Sequence, residues 1–262
     1  GLNVTVFDSF PGATEKCKGV HKKSLGKFVE KAKLTQLDAD AALARIKYTE
    51  SLDGLKGSEW VVEAVVEDVK VKKDIFTKLA AMFPDDKVVL ATNTSSISIT
   101  EIATAAGASA HRVVGMHFFN PVPLMQLVEV IPGIQTSSDV TERTIALATR
   151  MGKTPLKAND RAGFISNRVL MPMINEAFYA WMEGVAEPEA IDGIMKLGCN
   201  FPMGPLRLAD FIGLDTCAHI MNVLADGLNN DRYRPCPLLR QLVTAGRLGD
   251  KSGRGVFEYA KK

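Results

Sequence analysis

By type and spacing, His117 and Glu129 are the residues of this chain best placed to move a proton. His117 closes the apolar run Val113-Val114-Gly115-Met116, and Glu129 interrupts the run Leu127-Val128-Glu129-Val130-Ile131, so both read as strand residues. Pro121 and Pro123 break the pattern between them. A chain reversal about Pro123 sets residues whose numbers sum to 246 opposite one another, which pairs 117 with 129 across two antiparallel strands. A carboxylate beside an imidazole fixes its tautomer and strengthens it as a base, which is what removing a proton from an alcohol requires. The same two residues also fit a satisfied structural histidine and a surface glutamate. A charge inside an otherwise apolar strand weighs against that second reading.

These residues need a scaffold to hold them. Apolar runs at 3–7, 60–66, 87–92 and 113–116 alternate with helix-like segments near 11–33, 38–46 and 69–83, and a later one near 138–151. Strands separated by helices predict parallel βαβ units. Beyond Asp160 the strand signal gives way to helical patterns at 164–183, 188–197, 214–228 and 237–245. The expected fold is therefore α/β: a doubly wound, mostly parallel sheet of the dinucleotide-binding (Rossmann) type over 1–159, then an all-helical domain over 160–262. Pro172 falls inside the helix that begins near Phe164 and predicts a kink there. Apolar residues 165, 169, 173 and 177 lie at spacing four on one face of that helix, the expected spine of the second domain.

A length of 262 residues is enough for two domains. The formal net charge of +2 argues against nucleic acid as a partner, since backbone-phosphate binding leans on a large basic excess. No stretch reads as a membrane span, and no metal site is expected. Cys17, Cys199, Cys217 and Cys236 show no C-x-x-C spacing, which disfavours a zinc ribbon or a disulfide scaffold and suits a reducing compartment.

Asp8 ends the apolar strand at 3–7. An acid at that place in a dinucleotide-binding fold accepts hydrogen bonds from the adenosine ribose of NAD and disfavours the 2′-phosphate of NADP. Asp8 equally fits a turn aspartate before Ser9-Phe10-Pro11-Gly12. A strand and a G-x-G-x-x-G turn are expected about twenty residues before such an acid. The sequence contains no G-x-G-x-x-G. The expectation is a fragment of a complete enzyme that lacks the first βα unit and its pyrophosphate cradle, and the 262 residues alone are expected to bind NAD poorly.

Further motifs follow one another along the chain: NTSS at 93–96, HFFNP at 117–121, GFISNR at 163–168, PMGPLRLADFIGLDT at 202–216 and LGDKSGRGVFEY at 248–259. In these motifs the chain resembles the 3-hydroxyacyl-CoA dehydrogenase family from end to end. RYRPCPLLRQLV at 232–243 is similar to its short-chain 3-hydroxybutyryl-CoA branch. The resemblance implies NAD-dependent oxidation of an L-3-hydroxyacyl-CoA to the 3-ketoacyl-CoA, in fatty acid β-oxidation or butanoate metabolism, in the cytoplasm or the mitochondrial matrix. It implies catalytic roles for Ser95, His117, Glu129 and Asn167, and cofactor contacts at Asp8, Glu67, Lys72, Ser95, Asn120 and Lys251. It also implies coenzyme A contacts at Ser24 and Lys31, and a homodimer built through the helical domain.

The residues themselves bear on several of these roles. Lys16, Lys18, Lys22, Lys23, Lys27, Lys31 and Lys33 give the first helix a basic surface suited to the phosphates of coenzyme A. Ser24 and Lys31, seven apart, share a face of it. Ser95 and Asn167 are neutral hydrogen-bonding groups able to orient substrate oxygens, yet Ser95 and Ser96 also fit helix caps, and Asn167 also fits the wet face of a helix. One departure is visible: the family carries proline before the glycine of GFI-x-NR, whereas this chain reads Asp160-Arg161-Ala162-Gly163, which predicts a less stiff hinge. Two other functions fit the same architecture: a gulonate-type sugar-acid dehydrogenase and a non-catalytic structural homologue.

Overall fold

A computed structural model of the chain describes residues 1–260. It begins with β1 (Val4–Phe7), α1 (Ala13–Glu30), α2 (Gln36–Ala44) and β2 (Ile46–Thr49), and β1 and β2 pair in parallel as a separate two-stranded sheet. Then come β3 (Trp60–Glu63), α3 (Val69–Met82), β4 (Val89–Thr92), α4 (Ile99–Thr104), β5 (Val113–Phe118), β6 (Leu127–Pro132), α5 (Ser138–Arg150) and β7 (Thr154–Lys157). These five strands lie in sequence order in one sheet, parallel at every pairing except β5 with β6. The remainder is helical: α6 (Ser166–Met182), α7 (Pro188–Gly198), α8 (Pro205–Ile212), α9 (Leu214–Gly227) and α10 (Pro237–Thr244). No single helix among the described residues is long and apolar enough to cross a membrane.

The near-continuous apolar runs of β4, β5 and β6 have a direct cause, because both faces of the larger sheet are covered. Leu90, Val113 and Ile131 pack with Phe76 and Leu79 of α3 and Ile99 and Ile102 of α4, whereas Val89, Val114 and Val130 pack with Val140 and Ala148 of α5 on the opposite face. Successive residues of each strand alternate between the two layers. Met171, Ile174, Phe178, Leu206, Leu214, Leu224 and Leu239 form a third core within the helical part.

Three details differ from expectation. The first helix ends at Glu30, and Lys31 caps it, because Ala32 turns into the left-handed region with φ 52°. Pro172 lies inside α6 without ending it, and the buried face is Asn167, Met171, Ile174, Asn175, Ala177 and Phe178. Ile165 and Val169 are 59% and 67% exposed, so a row at spacing four is not the core row. Four residues turn 400°, so such a row drifts about 40° per step around the helix, and only its far end, Ala177, reaches the core. Finally, β2, β7, α4 and α8 leave little sequence signal, being four to eight residues long. Pro155 hides β7 further, and it is tolerated because β7 lies at the sheet edge.

Candidate active site

The antiparallel register of β5 and β6 sets His117 opposite Glu129. Both side chains are buried, and His117 Nδ1 lies 2.8 Å from Glu129 Oε2. With Nδ1 committed to the carboxylate, Nε2 is the nitrogen left to meet a substrate. The rings of Phe119 and Phe164 flank the imidazole, at centroid distances of 4.6 Å and 6.0 Å.

Glu129 is also the seat of α6. Its Oε1 accepts the Ser166 and Ile165 backbone N–H groups at 3.0 Å and 3.3 Å, and its Oε2 accepts the Ser166 hydroxyl at 3.0 Å. Burial alone would push the Glu129 carboxyl upward. The hydrogen bonds from His117 and from the backbone and hydroxyl of Ser166, with the charge of His117, outweigh burial and hold the carboxyl below its ordinary range. A helix N-terminus beside a carboxylate acts in the same direction. The turn into α6 depends on Gly163 at φ 74°, where a Cβ would come within 2.5 Å of Leu224 Cδ2.

Next in α6, Asn167 Nδ2 donates to the Ser95 carbonyl at 3.0 Å, which brings the helix against the loop after β4. That loop is held by Glu67, whose Oε1 accepts the hydroxyls of Thr94 and Ser96 and the backbone N–H groups of Ser95 and Ser96, at 2.6 to 2.9 Å. Glu67 takes the Ser95 backbone and not its hydroxyl, which leaves that hydroxyl for a substrate. Burial raises the Glu67 carboxyl, but the Thr94 hydroxyl, the Lys72 charge, the Ser95 N–H and the Ser96 hydroxyl together bring it below the usual range. Lys72 is fully buried, 2.7 Å from Glu63 Oε1 and 3.5 Å from Glu67 Oε2. Glu63 in turn accepts the Thr92 hydroxyl and the Val65 N–H, each at 2.7 Å. Asn93 Oδ1 accepts the Phe118 N–H at 2.9 Å, joining the loop to the end of β5 beside His117.

In the linker before α6, Asp160 ties the two parts of the chain together. Asp160 accepts the Ser98 hydroxyl at 2.8 Å and the Ile99 and Thr100 N–H groups at 3.0 Å and 2.7 Å, so it caps α4 from the linker that leads into α6.

The structure thus brings Ser95, His117, Glu129 and Asn167 into one cluster as two hydrogen-bonded pairs, His117 with Glu129 and Asn167 with Ser95, joined through the first turn of α6. Other expected site residues stand outside it. Asp8 is exposed at the end of β1, its Oδ1 taking the Phe10 N–H at 2.9 Å and its other oxygen remaining able to accept a ribose hydroxyl. Asn120 is exposed just beyond β5, Ser24 is partly buried on α1, and Lys31 is exposed at that helix's end. Lys251 belongs to the helical part and grips Asp215 at 2.6 and 2.7 Å. Sequence reasoning missed Glu63, Ser166 and the capping role of Asp160. The available signals were an acid inside the apolar strand at 60–66 and a hydroxyl at the first position of a helix.

The chain is similar to known proteins over nearly its whole length. The sequence model of the 3-hydroxyacyl-CoA dehydrogenase NAD binding domain matches residues 1–161, and that of the 3-hydroxyacyl-CoA dehydrogenase C-terminal domain matches residues 163–259. A probable 3-hydroxybutyryl-CoA dehydrogenase of Deinococcus radiodurans is 55% identical over 259 residues, covering 99% of this chain and 92% of that protein. A 3-hydroxybutyryl-CoA dehydrogenase of Clostridioides difficile is 43% identical over 261 residues, covering 100% and 92%. The crystal structure of an (S)-3-hydroxybutyryl-CoA dehydrogenase from Ralstonia eutropha superposes with a TM-score of 0.95 at 47% identity, covering 100% of this chain and 92% of that one.

Proposed function

The chain belongs to the 3-hydroxyacyl-CoA dehydrogenase family, and from that premise we propose that it oxidises a short-chain L-3-hydroxyacyl-CoA, such as 3-hydroxybutyryl-CoA, to the 3-ketoacyl-CoA with NAD. The observation that carries the mechanism is the buried His117–Glu129 pair at 2.8 Å. His117 Nε2 takes the proton of the substrate hydroxyl, and Glu129, ionised and fixed by three further hydrogen bonds, stabilises the imidazolium that forms. Ser95 and Asn167 contribute no charge; they orient the hydroxyl and the thioester carbonyl. NAD, when bound, supplies the hydride acceptor for C3 of the substrate. Asp8 suits its ribose, Glu67, Ser95, Asn120 and Lys251 complete the proposed cofactor set, and the buried Lys72 acts through Glu67.

NAD reduction by L-3-hydroxybutyryl-CoA, measured on the chain extended at its N-terminus by a G-x-G-x-x-G βα unit, is the direct test, with the D isomer, gulonate and NADP as controls. Turnover confined to the L-CoA ester and faster with NAD is expected; turnover of gulonate in its place would overturn the reading. The basic helix α1 distinguishes a CoA ester from a sugar acid. Lys31→Ala and Ser24→Ala are expected to raise KM for acyl-CoA while changing kcat little, because both residues lie away from the cluster of Ser95, His117, Glu129 and Asn167 and supply uniform binding. Equal effects on a pantetheine thioester, which lacks the nucleotide, would show that neither residue touches that end of the substrate.

The helical part is the proposed homodimer interface. Val185 and Leu197 there are 73% and 89% exposed, and Val169, Ile194 and Phe211 add further apolar surface. Sedimentation equilibrium is expected to give twice the chain mass, and a monomer at micromolar concentration would remove this proposal.

A further inference from the structure

Ser166 and His117 share one oxygen atom. Ser166 Oγ lies 3.0 Å and His117 Nδ1 2.8 Å from Oε2 of Glu129. A carboxylate oxygen divides its charge among the donors it accepts, so each added donor weakens its hold on the others. The hydroxyl comes from the helical part of the chain, and the imidazole and carboxylate from the sheet. We propose that Ser166 is a positioning residue which, from the first turn of α6, fixes the rotamer of Glu129 and moderates the strength with which that carboxylate supports His117 as a base.

The surroundings leave Ser166 as the group able to do this. The rings of Phe119 and Phe164 flank His117. On β7, Leu156 stands opposite Glu129, while Lys157 stands opposite Val130 and so points to the other face of the sheet. The charge acting on the Glu129 carboxyl is that of His117. On the linker before α6, Asp160 is committed to the N-terminus of α4. On the far side of Asn167, Glu63, Lys72 and Glu67 are committed to one another and to the Ser95 loop. The Ile165 and Ser166 N–H groups bond Oε1, and backbone donors survive a side-chain substitution. The hydroxyl on Oε2 can therefore be removed alone.

The sign follows from the shared atom. Without the hydroxyl, Oε2 bonds His117 more strongly, so the imidazolium is favoured and the base works only at higher pH. Loss of Glu129 itself moves the same property the opposite way, which separates this role from mere damage to the site.

The test is an NMR titration of ring-labelled histidine in the 262-residue chain, with His117→Gln to assign the signal. In Ser166→Ala the His117 midpoint is expected to rise by about half a pH unit, roughly threefold in the protonation equilibrium. Ser166→Thr, which keeps the hydroxyl, should match the parent, and Ser166→Cys, a weaker donor of similar size, should move with Ser166→Ala. In a Glu129→Gln background Ser166→Ala should add nothing. An unmoved or lowered midpoint, or an equal rise in the Glu129→Gln background, overturns the proposal. Its kinetic consequence rests on the dehydrogenase reading: the acidic limb of kcat/KM for alcohol oxidation should rise in step. A midpoint that rises in a protein oxidising no hydroxyacyl-CoA would uphold Ser166 and overturn the dehydrogenase reading alone.

Discussion

His117→Gln is expected to lower kcat for alcohol oxidation by roughly 10² to 10⁴, the contribution of a positioned general base. Glutamine keeps a polar group in the space of the imidazole but cannot hold the abstracted proton. Glu129→Gln should also slow oxidation, because a neutral amide no longer stabilises the imidazolium, and its acidic limb should move to lower pH. The two residues serve one proton transfer through one hydrogen bond of 2.8 Å, so their effects should be far from additive. The double variant should be scarcely slower than His117→Gln alone. Steady-state kinetics on the four members of the cycle, with circular dichroism to check the fold, measures this directly. Simple multiplication of the two losses, or a Glu129→Gln enzyme with the parent rate and pH profile, would dissolve the pairing.

Lys72→Met should produce the largest loss of stability among the site variants. The Lys72 side chain is fully buried and the Glu63 side chain nearly so, at 2.7 Å from one another. Removing the cation leaves carboxylates without a counter-charge, a change that costs about 3 to 5 kcal/mol at buried pairs. Glu63→Gln together with Lys72→Met should recover part of it, since no charge then faces Thr92. The pH dependence has a definite sign. Glu67 titrates below its ordinary range in the folded chain, so its contribution is complete above the unfolded carboxyl value of about 4.3 and is lost as pH falls through the lower folded value. With Lys72 gone, the support for that depression weakens and acid unfolding should begin at higher pH. Denaturant and acid titrations followed by circular dichroism decide it. An unchanged midpoint in Lys72→Met would mean that the buried Lys72–Glu63 pair holds nothing, and the Ser95 loop would need another account.

Much of the site was legible because it is written in local pattern. The strand runs around His117 and Glu129 and the proline break between them specify a register in which a one-residue slip would turn every side chain to the wrong face, and the observed pairing is 117 with 129. Alternating apolar runs and helical segments likewise specified a mostly parallel sheet followed by helices, since both patterns depend on a few neighbouring residues. Short elements such as β2 and α4 were not legible, because four to six residues hold less than one clear period.

The amino-acid sequence by itself determined the His117–Glu129 pair and the two strands that set them opposite one another. Tertiary structure alone decided what surrounds that pair. Ser166 meets Glu129 across 37 residues, Asn167 meets Ser95 across 72, and Asp160 meets α4 across about 60. No periodicity links residues so far apart, since their contact arises only when α6 docks its N-terminus on the sheet. The parallel pairing of β3 with β4 likewise decided that Glu67, with Lys72 beside it, is spent on the loop that presents Ser95. Where a polar side chain finds its partner once water is excluded depends on which elements pack together, and the sequence around that side chain does not carry this information.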